Sequence, residues 1–559
     1  MLKQILFFDK QPYLLLELNK YKWWIFYQMT DYERICRAMS EPEFYPHEVS
    51  QIERKDTHIS TVFLTCNWAY KIKKPVVFEF LDFRSLEDRK NFCKQELNLN
   101  QRLSSDVYIN LVEILEDKNK RINLKKGKKI VEYAVKMVQL PEEANLKTLL
   151  KAKLVDYEQI KSIGRMLSDF YKKADQNKNI DYYGKQEVIL YNIEENFRAI
   201  EPFVKKLPDK DQWEFICQVS RAFLHDHYDL LEERIKSRRI RDGHGDLRAD
   251  HIYLYNGIQI IDCIEFKDRF RYGDTALDLS FLHMDLEHMG FYDFSRELLS
   301  AYAKCAVDPQ IFSLLDFYSA YRAVVRLKVS LLQRSDLQIK LKKELINDIK
   351  IFFYQANQYS ILFSRPTLFI FCGLPATGKS TFAKKTAELF SIPLFQSDTI
   401  RKQNDPKHKS KVISFNEGLY RPVIKGRVYA RLIGLAQEKL KQGKSVVLDA
   451  TFSQEKWRRA AKQMAADSDA NIIFAELTAE EDAIKFRLKQ REYEAGESDA
   501  RLIHFKQLIA DFEPFQQYEQ NTHFNINTER NSDEIFVELL SKCHSSKCAQ
   551  VKEMLSRLV

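Results

Sequence analysis

The chain contains little glycine and little proline, 15 and 14 residues in 559. That scarcity excludes collagen-like repeats and Gly/Pro-rich linkers, so domain borders must be read from changes of pattern. Its nine cysteines are dispersed, odd in number and without a CxxC pair. Such spacing excludes a zinc ribbon and a fully paired disulfide framework, and it points to a reducing compartment. No apolar run reaches membrane length. Neither sign of charge dominates: the formal net charge of +9 suits phosphorylated ligands without demanding nucleic acid. With 45% hydrophobic and 30% charged residues, the composition is that of a soluble globular protein. The length exceeds one ordinary core and predicts two or three domains.

Residues 1–28 are apolar but broken by Asp9, Lys10, Glu17 and Lys20, with no small-residue cleavage site. They do not read as a signal peptide. Met29 offers a second candidate start, on which reading residues 1–28 are a start-site artefact. The expectation is a cytoplasmic protein with no membrane partner; its oligomeric state is not legible.

Against so few glycines, Gly373-Leu374-Pro375-Ala376-Thr377-Gly378-Lys379-Ser380 stands out as a full GxxxxGK[ST] loop. The apolar run Leu368–Cys372 before it reads as a buried strand, and Ser380-Thr381 and the residues after them read as a helix. That context turns a glycine loop into a phosphate cradle: backbone N–H groups and a helix N-terminus face the anion. Lys379 brings a point charge to the β- and γ-phosphates, and the Ser380 hydroxyl is a Mg²⁺ ligand. The loop predicts ATP and Mg²⁺ as cofactors.

Downstream, Pro393–Gln396 reads as a second strand, ending at Ser397-Asp398-Thr399-Ile400-Arg401. Asp398 is either a helix cap or the group that takes the proton of an acceptor hydroxyl. Arg401 lies on the same side of a helix as Asp398 and is a candidate substrate contact. Asp449, the acid at the end of a third strand read over Ser445–Thr451, is either a solvated turn aspartate or a group suited to the water shell of Mg²⁺. Arg487 and Arg491 share a face of the helix predicted over 480–493 and read either as a solvated basic face or as a lid over the phosphates.

A second phosphate-handling pattern precedes the first by more than a hundred residues. His244-Gly245-Asp246-Leu247-Arg248-Ala249-Asp250-His251 is followed by the strands 252–255 and 259–261, joined at Asn256-Gly257, and then by Asp262. A hairpin of that length returns Asp262 to the end where Asp246 lies. Asp246 is then the proton acceptor and Asp262 the metal acid. Lys71 and Lys73 share one face of a strand upstream. We assign Lys71 to the nucleotide phosphates, because Ala69-Tyr70-Lys71 has the A-x-K form of a kinase strand. Glu96, on a helix predicted from Leu86 to about Leu103 with apolar residues Phe92, Leu97, Leu99 and Leu103, is its ion-pair partner.

Residues 367–530 resemble the small P-loop kinases that include gluconate kinase, polynucleotide 5′-kinase and zeta toxin. The resemblance rests on GLPATGKS, SDTIR, VVLDATF and RLKQR. It implies that Asp398 orients the acceptor hydroxyl and that Arg487 or Arg491 stabilises the transferring phosphoryl group. Residues 55–335 resemble the aminoglycoside phosphotransferase and choline kinase family through HGDLRADH, IIDCIEF and Gly273–Leu279, implying a protein-kinase-like fold. Two departures stand out: His251 occupies the place of a metal-binding Asn, and no glycine-rich loop lies near residues 55–68. His251 thereby becomes the candidate second metal ligand. Over nearly its whole length the chain resembles bacterial fusions described as bifunctional aminoglycoside phosphotransferase/ATP-binding proteins. The sequence shows no obvious acid cluster for a polycationic aminoglycoside, and Asp285 and Glu287 are the candidates for that contact.

The expected architecture is therefore an N-terminal extension (1–54) and an α+β kinase-like domain (55–363, lobes 55–145 and 146–363). A three-layer α/β/α P-loop kinase domain with a parallel sheet follows (364–559). The expected activity is ATP-dependent phosphorylation of a small hydroxylated molecule at two centres. The alternative is a single P-loop kinase with a silent N-terminal binding module. A nucleic-acid acceptor, through basic stretches such as Lys402–Lys411, is less favoured.

Overall fold

Alternating apolar and polar residues make strands of Ser60–Leu64 and Trp68–Lys73, and a strand's two faces then have different neighbours. A computed structural model of the chain describes residues 31–78, 81–333, 341–403, 422–493, 505–516 and 519–557. By contact the described residues fall into two units. One comprises those of Met1–Tyr191, Asp229–Gly290 and Gln333–Gln338, and the other those of Asn192–Tyr228, Phe291–Leu332 and Ile339–Val559.

In the first unit an antiparallel sheet of six strands runs in the order Glu53–Asp56, Ser60–Leu64, Trp68–Lys73, Lys129–Val138, Tyr108–Glu116, Ile122–Asn123. Phe63, Tyr70 and Ile72 face one way, onto Ile35, Met39 and Phe44. Ala69, Val135 and Met137 face the other way, against Cys93 of the helix Leu86–Ser104. Lys71 and Lys73 leave the strand on the side of Ala69 and so point toward that helix.

The helix starts where expected, with the Ser85 hydroxyl accepting from the Asp88 N–H. Its buried stripe differs from the apolar one read from sequence. The buried residues are Arg89, Cys93, Glu96, Asn100, Leu103 and Ser104, while Phe92, Leu97 and Leu99 are only half-buried. A polar stripe survives burial because each member has a partner: Arg89 donates to Glu132 at 2.8 Å, and Asn100 accepts from the Cys263 N–H at 2.9 Å.

In the second unit the helix Leu341–Ser364 ends just before Pro366, and the strand Thr367–Cys372 begins at once. It is the centre of a five-stranded sheet ordered Leu394–Gln396, Val446–Asp449, Thr367–Cys372, Asn471–Thr478, His523–Asn527. Every pairing is parallel. All six residues of the central strand are buried, as an uninterrupted apolar run in a parallel sheet requires. Leu368, Ile370 and Leu448 pack against Val428, Leu432 and Ala436 of the helix Pro422–Lys441 and against Ala461 and Met464 of the helix Glu455–Asp467. The architecture is the expected pairing of an α+β half with an α/β P-loop half built on a parallel sheet. Among the described residues, no helix is long and apolar enough to cross a membrane.

Candidate active sites

The P-loop leaves the C-terminal end of the central strand, and its helix Lys379–Leu389 begins with Gly378 in a left-handed conformation. The loop is closed on one of its own carbonyls: the Lys379 ammonium donates to the Leu374 oxygen at 2.6 Å and the Thr377 hydroxyl at 2.8 Å. Pro375 and Ala376 are buried beneath it, whereas Ser380 and Thr381 are exposed on the first helical turn. Asp449 is in register with Phe371, so its carboxylate ends one strand over from the loop. Gln396 donates to its Oδ2 at 3.0 Å. Asp398 lies in the first turn of the helix Ser397–Gln403, where Arg401 donates to its Oδ1 at 2.7 Å.

Arg487, read as a lid residue, clasps the loop from behind. Its Nη1 donates to the Ala376 carbonyl (3.2 Å) and the Thr528 hydroxyl (3.1 Å), and its Nη2 to the Thr528 carbonyl (3.1 Å). Arg491 belongs to the same helix, Glu481–Tyr493, and its side chain lies outside the described residues, as does the basic stretch Lys402–Lys411 beyond Gln403.

In the first unit the structure brings Lys71, Glu96, Asp246, His251 and Asp262 together. Lys71 Nζ lies 2.7 Å from Glu96 Oε1 and 2.6 Å from Asp262 Oδ1. Lys73, the lysine not selected from sequence, is wholly buried and bridges Glu96 and Glu265. Asp262 follows the hairpin Ile252–Leu254/Ile258–Ile260 with φ of +64°. His251 stands between the two acids: Nδ1 is 3.7 Å from Asp246 Oδ2, and Nε2 is 3.7 Å from Asp262 Oδ2. Nδ1 also lies 2.9 Å from the Asp246 carbonyl, and Arg248 Nη2 lies 3.1 Å from Nε2. These partners assign the Nδ1–H tautomer, with Nε2 accepting from the guanidinium.

Electrostatics follow from these pairs. Burial opposes the charge on Asp262, but the Lys71 ammonium outweighs it and holds the carboxyl far below the usual range. Burial likewise pushes Asp246 up, and the Arg248 guanidinium brings it below its ordinary value.

His244 locks the loop to the hairpin. Its Nε2 lies 3.0 Å from the Ile261 carbonyl, and its Nδ1 accepts from the Asp246 N–H at 3.3 Å. The Asp278 carboxylate accepts the N–H groups of His244 and Gly245 at 2.5 and 2.8 Å. Burial pushes the His244 imidazole down to about 4. Between about pH 6.5 and about pH 4 the unfolded chain therefore binds a proton that the folded chain does not. Stability present above that window is lost as pH falls through it, by up to roughly 3 kcal/mol. Urea unfolding at about pH 7.5 and about pH 4.5 should show that loss, and His244→Asn should remove most of it. An equal pH dependence in the variant would assign the effect to other groups.

Mg²⁺ takes oxygen ligands, and the acids present suit it unequally. The Asp262 side chain is 46% exposed against 0% for Glu96 and 5% for Glu265, so Asp262 is the acid a solvated cation reaches. His251 offers only nitrogens, both engaged. Among the described residues no group of three His, Cys, Asp or Glu side chains is arranged to hold a metal ion. A cation here would need oxygens from the nucleotide and water. In the second unit Ser380 and Asp449 supply hydroxyl and carboxylate oxygen beside the loop.

Sequence reasoning weighed Lys73 and passed it over for Lys71, and it assigned no role to Glu265, Arg248, Asp278 or Thr528. Glu265 and Arg248 stood inside motifs already singled out, and the second lysine on the Lys71 face called for a second buried acid. Asp285 accepts the Ala249 N–H at 2.8 Å and so supports the loop backbone.

Residues 368–515 match the family model described as an AAA domain. An uncharacterized protein of Mycobacterium tuberculosis is 31% identical over 455 residues, covering 80% of this chain and 88% of its own length. Among solved structures, a putative kinase from Chloroflexus aurantiacus is similar at TM-score 0.26 and 19% identity, over 31% of this chain and 96% of that one. The GDP complex of aminoglycoside 2′-phosphotransferase-IIIa is similar at TM-score 0.35 and 15% identity, over 55% of this chain and 94% of that one.

Proposed function

Because the chain belongs to the family of that mycobacterial protein, carries a P-loop in one half and gathers Lys71, Glu96, Asp246, His251 and Asp262 in the other, we propose that it is an ATP-dependent phosphotransferase with two centres, each acting on a hydroxyl of a small molecule. Its functional modules are residues 55–363 and 364–559, although the helices Lys210–Asp226 and Tyr292–Ala306 group by contact with the second. The observation that carries the reading is the P-loop at the end of the central parallel strand, with Asp449 in register beside it and Asp398 at the end of the next strand.

At the P-loop, the backbone N–H groups of residues 373–381 receive the phosphates. Lys379 leaves the Leu374 carbonyl to meet them. Asp398 takes the acceptor proton, with Arg401 orienting that carboxylate. Arg487 holds the loop at Ala376, which fixes where the phosphates lie. In the other centre, Lys71, set by Glu96, meets the α- and β-phosphates, and Asp246 takes the proton of the second acceptor. Bound Mg²⁺ would neutralise phosphate charge in both centres, held through Ser380 and Asp449 in one and through Asp262 in the other. The nine free cysteines fit a reducing, cytoplasmic setting.

The test is ATP turnover against sugars, nucleosides, aminoglycosides and 5′-hydroxyl oligonucleotides, on wild type, Lys379→Ala and Asp246→Asn. Two centres predict acceptors lost separately in the two variants, each by more than about a hundredfold. A second reading, a silent N-terminal binding module, is favoured by His251 with both nitrogens engaged. It requires that Lys379→Ala silence every acceptor and Asp246→Asn none.

A further inference from the structure

Arg248 stood inside the HGD motif without a role assigned to it, yet its guanidinium holds both oxygens of the Asp246 carboxylate. Its Nε donates to Asp246 Oδ1 at 3.0 Å and its Nη2 to Oδ2 at 3.2 Å, a two-pronged fork on the proton acceptor. The same Nη2 lies 3.1 Å from His251 Nε2, a nitrogen 3.7 Å from Asp262 Oδ2. The guanidinium thus stands between the group that receives the proton and the acid that faces the nucleotide phosphates. We propose that Arg248 is a catalytic residue of this centre, passing its guanidinium from Asp246 to the phosphoryl group during transfer. The inference rests on the phosphotransferase reading of the N-terminal half.

Charge balance supplies the argument. In the reaction the acceptor O–H gives its proton to the Asp246 carboxylate, and the acceptor oxygen bonds to the γ-phosphorus. The bond from that phosphorus to the bridging oxygen breaks, and its electron pair leaves with ADP. The products are ADP, a phosphate ester and a proton held by Asp246. At that moment Asp246 is losing the charge that holds the fork, while charge spreads over the three outer oxygens of the phosphoryl group. A guanidinium matches those oxygens with parallel N–H groups, as an ammonium does not.

Arg248 also has an anchor that outlasts the exchange. Nη1 donates to Asp250 Oδ2 at 3.3 Å, and Lys147 holds Asp250 through Oδ1 at 3.0 Å. With its side chain 16% exposed, the guanidinium is shielded enough for its charge to count and open enough to meet a ligand.

The test uses the full chain carrying Lys379→Ala. Binding of MgADP, and of MgADP with aluminium fluoride as a mimic of the transferring group, is measured by calorimetry. Loss of the signal in Asp262→Asn assigns it to this centre. Fluoride should tighten ADP binding, and Arg248→Met should reduce that tightening at least about tenfold while ADP alone stays within about twofold. Arg248→Lys, which keeps the charge and the Asp250 pair, should also lose most of it, because lysine cannot fork. Undiminished tightening in Arg248→Met overturns the inference, and so does equal weakening of ADP with and without fluoride, the mark of a structural role. Absence of any ADP binding assignable to this centre sinks the two-centre reading together with the inference. ADP binding without an Arg248-dependent fluoride effect sinks only the inference.

Discussion

Gly373→Ala is expected to abolish nucleotide binding at the P-loop, raising the Kd for ATP more than about a hundredfold, or roughly 2.7 kcal/mol. Gly373 has φ of +120°, a conformation that costs a residue with a Cβ on the order of 1–3 kcal/mol. The added methyl group would also lie 2.4 Å from the Leu477 carbonyl oxygen. That oxygen belongs to the strand Asn471–Thr478, paired on one side with the P-loop strand and on the other with His523–Asn527. Neither the loop, whose Gly373 N–H donates to the Thr451 carbonyl at 3.2 Å, nor the strand can move without breaking backbone hydrogen bonds. Gly378→Ala is the control: φ is +91°, but the nearest heavy atom is 3.7 Å from the new methyl group. It should cost only the backbone strain, about tenfold in Kd. A nucleotide titration of the full chain decides between them, and wild-type affinity in Gly373→Ala would refute the close approach.

The second large effect is on stability. Arg234→Met should cost about 3–5 kcal/mol, read as a fall in the urea midpoint. Arg234 is wholly buried and forks onto Asp274, with Nε at 2.8 Å from Oδ2 and Nη2 at 2.7 Å from Oδ1. Asp274 also caps the helix Thr275–His288, accepting the Ala276 N–H at 2.8 Å. Methionine fills similar volume but leaves a carboxylate charged and buried with its principal counter-ion gone. Asp274→Asn in the same chain removes that charge and keeps a capping oxygen, so the double variant should recover more than half of the loss. Failure to recover would place the cost in packing rather than charge.

These two sites also mark how far sequence carries. Gly373, Gly378 and Lys379 were legible because strand, loop and helix are consecutive, and a P-loop needs glycine where a Cβ would strike backbone. The hairpin that returns Asp262 toward Asp246 was legible for the same reason: sixteen residues with an Asn-Gly turn leave few other paths.

Lys71 and Lys73 show the limit. Alternation puts both on one face but is silent on which acid each will meet across a fold separation of about 190 residues. The helix Leu86–Ser104 presents the same difficulty, since an apolar count cannot anticipate that its buried stripe carries Arg89, Glu96 and Asn100. Arg487 shows it again, having the right type for a phosphate lid but an Ala376 carbonyl within reach.

Composition, length and short-range pattern determined the fold class, the loop, the hairpin and the candidate acids, because periodicity and turn chemistry act over a few residues. Only the tertiary structure decided the partners of each charge: Lys73 between Glu96 and Glu265, Arg248 on Asp246, Arg234 on Asp274. A buried ion must find its counter-ion wherever the chain brings one, and desolvation makes that choice strong without leaving a local mark in sequence.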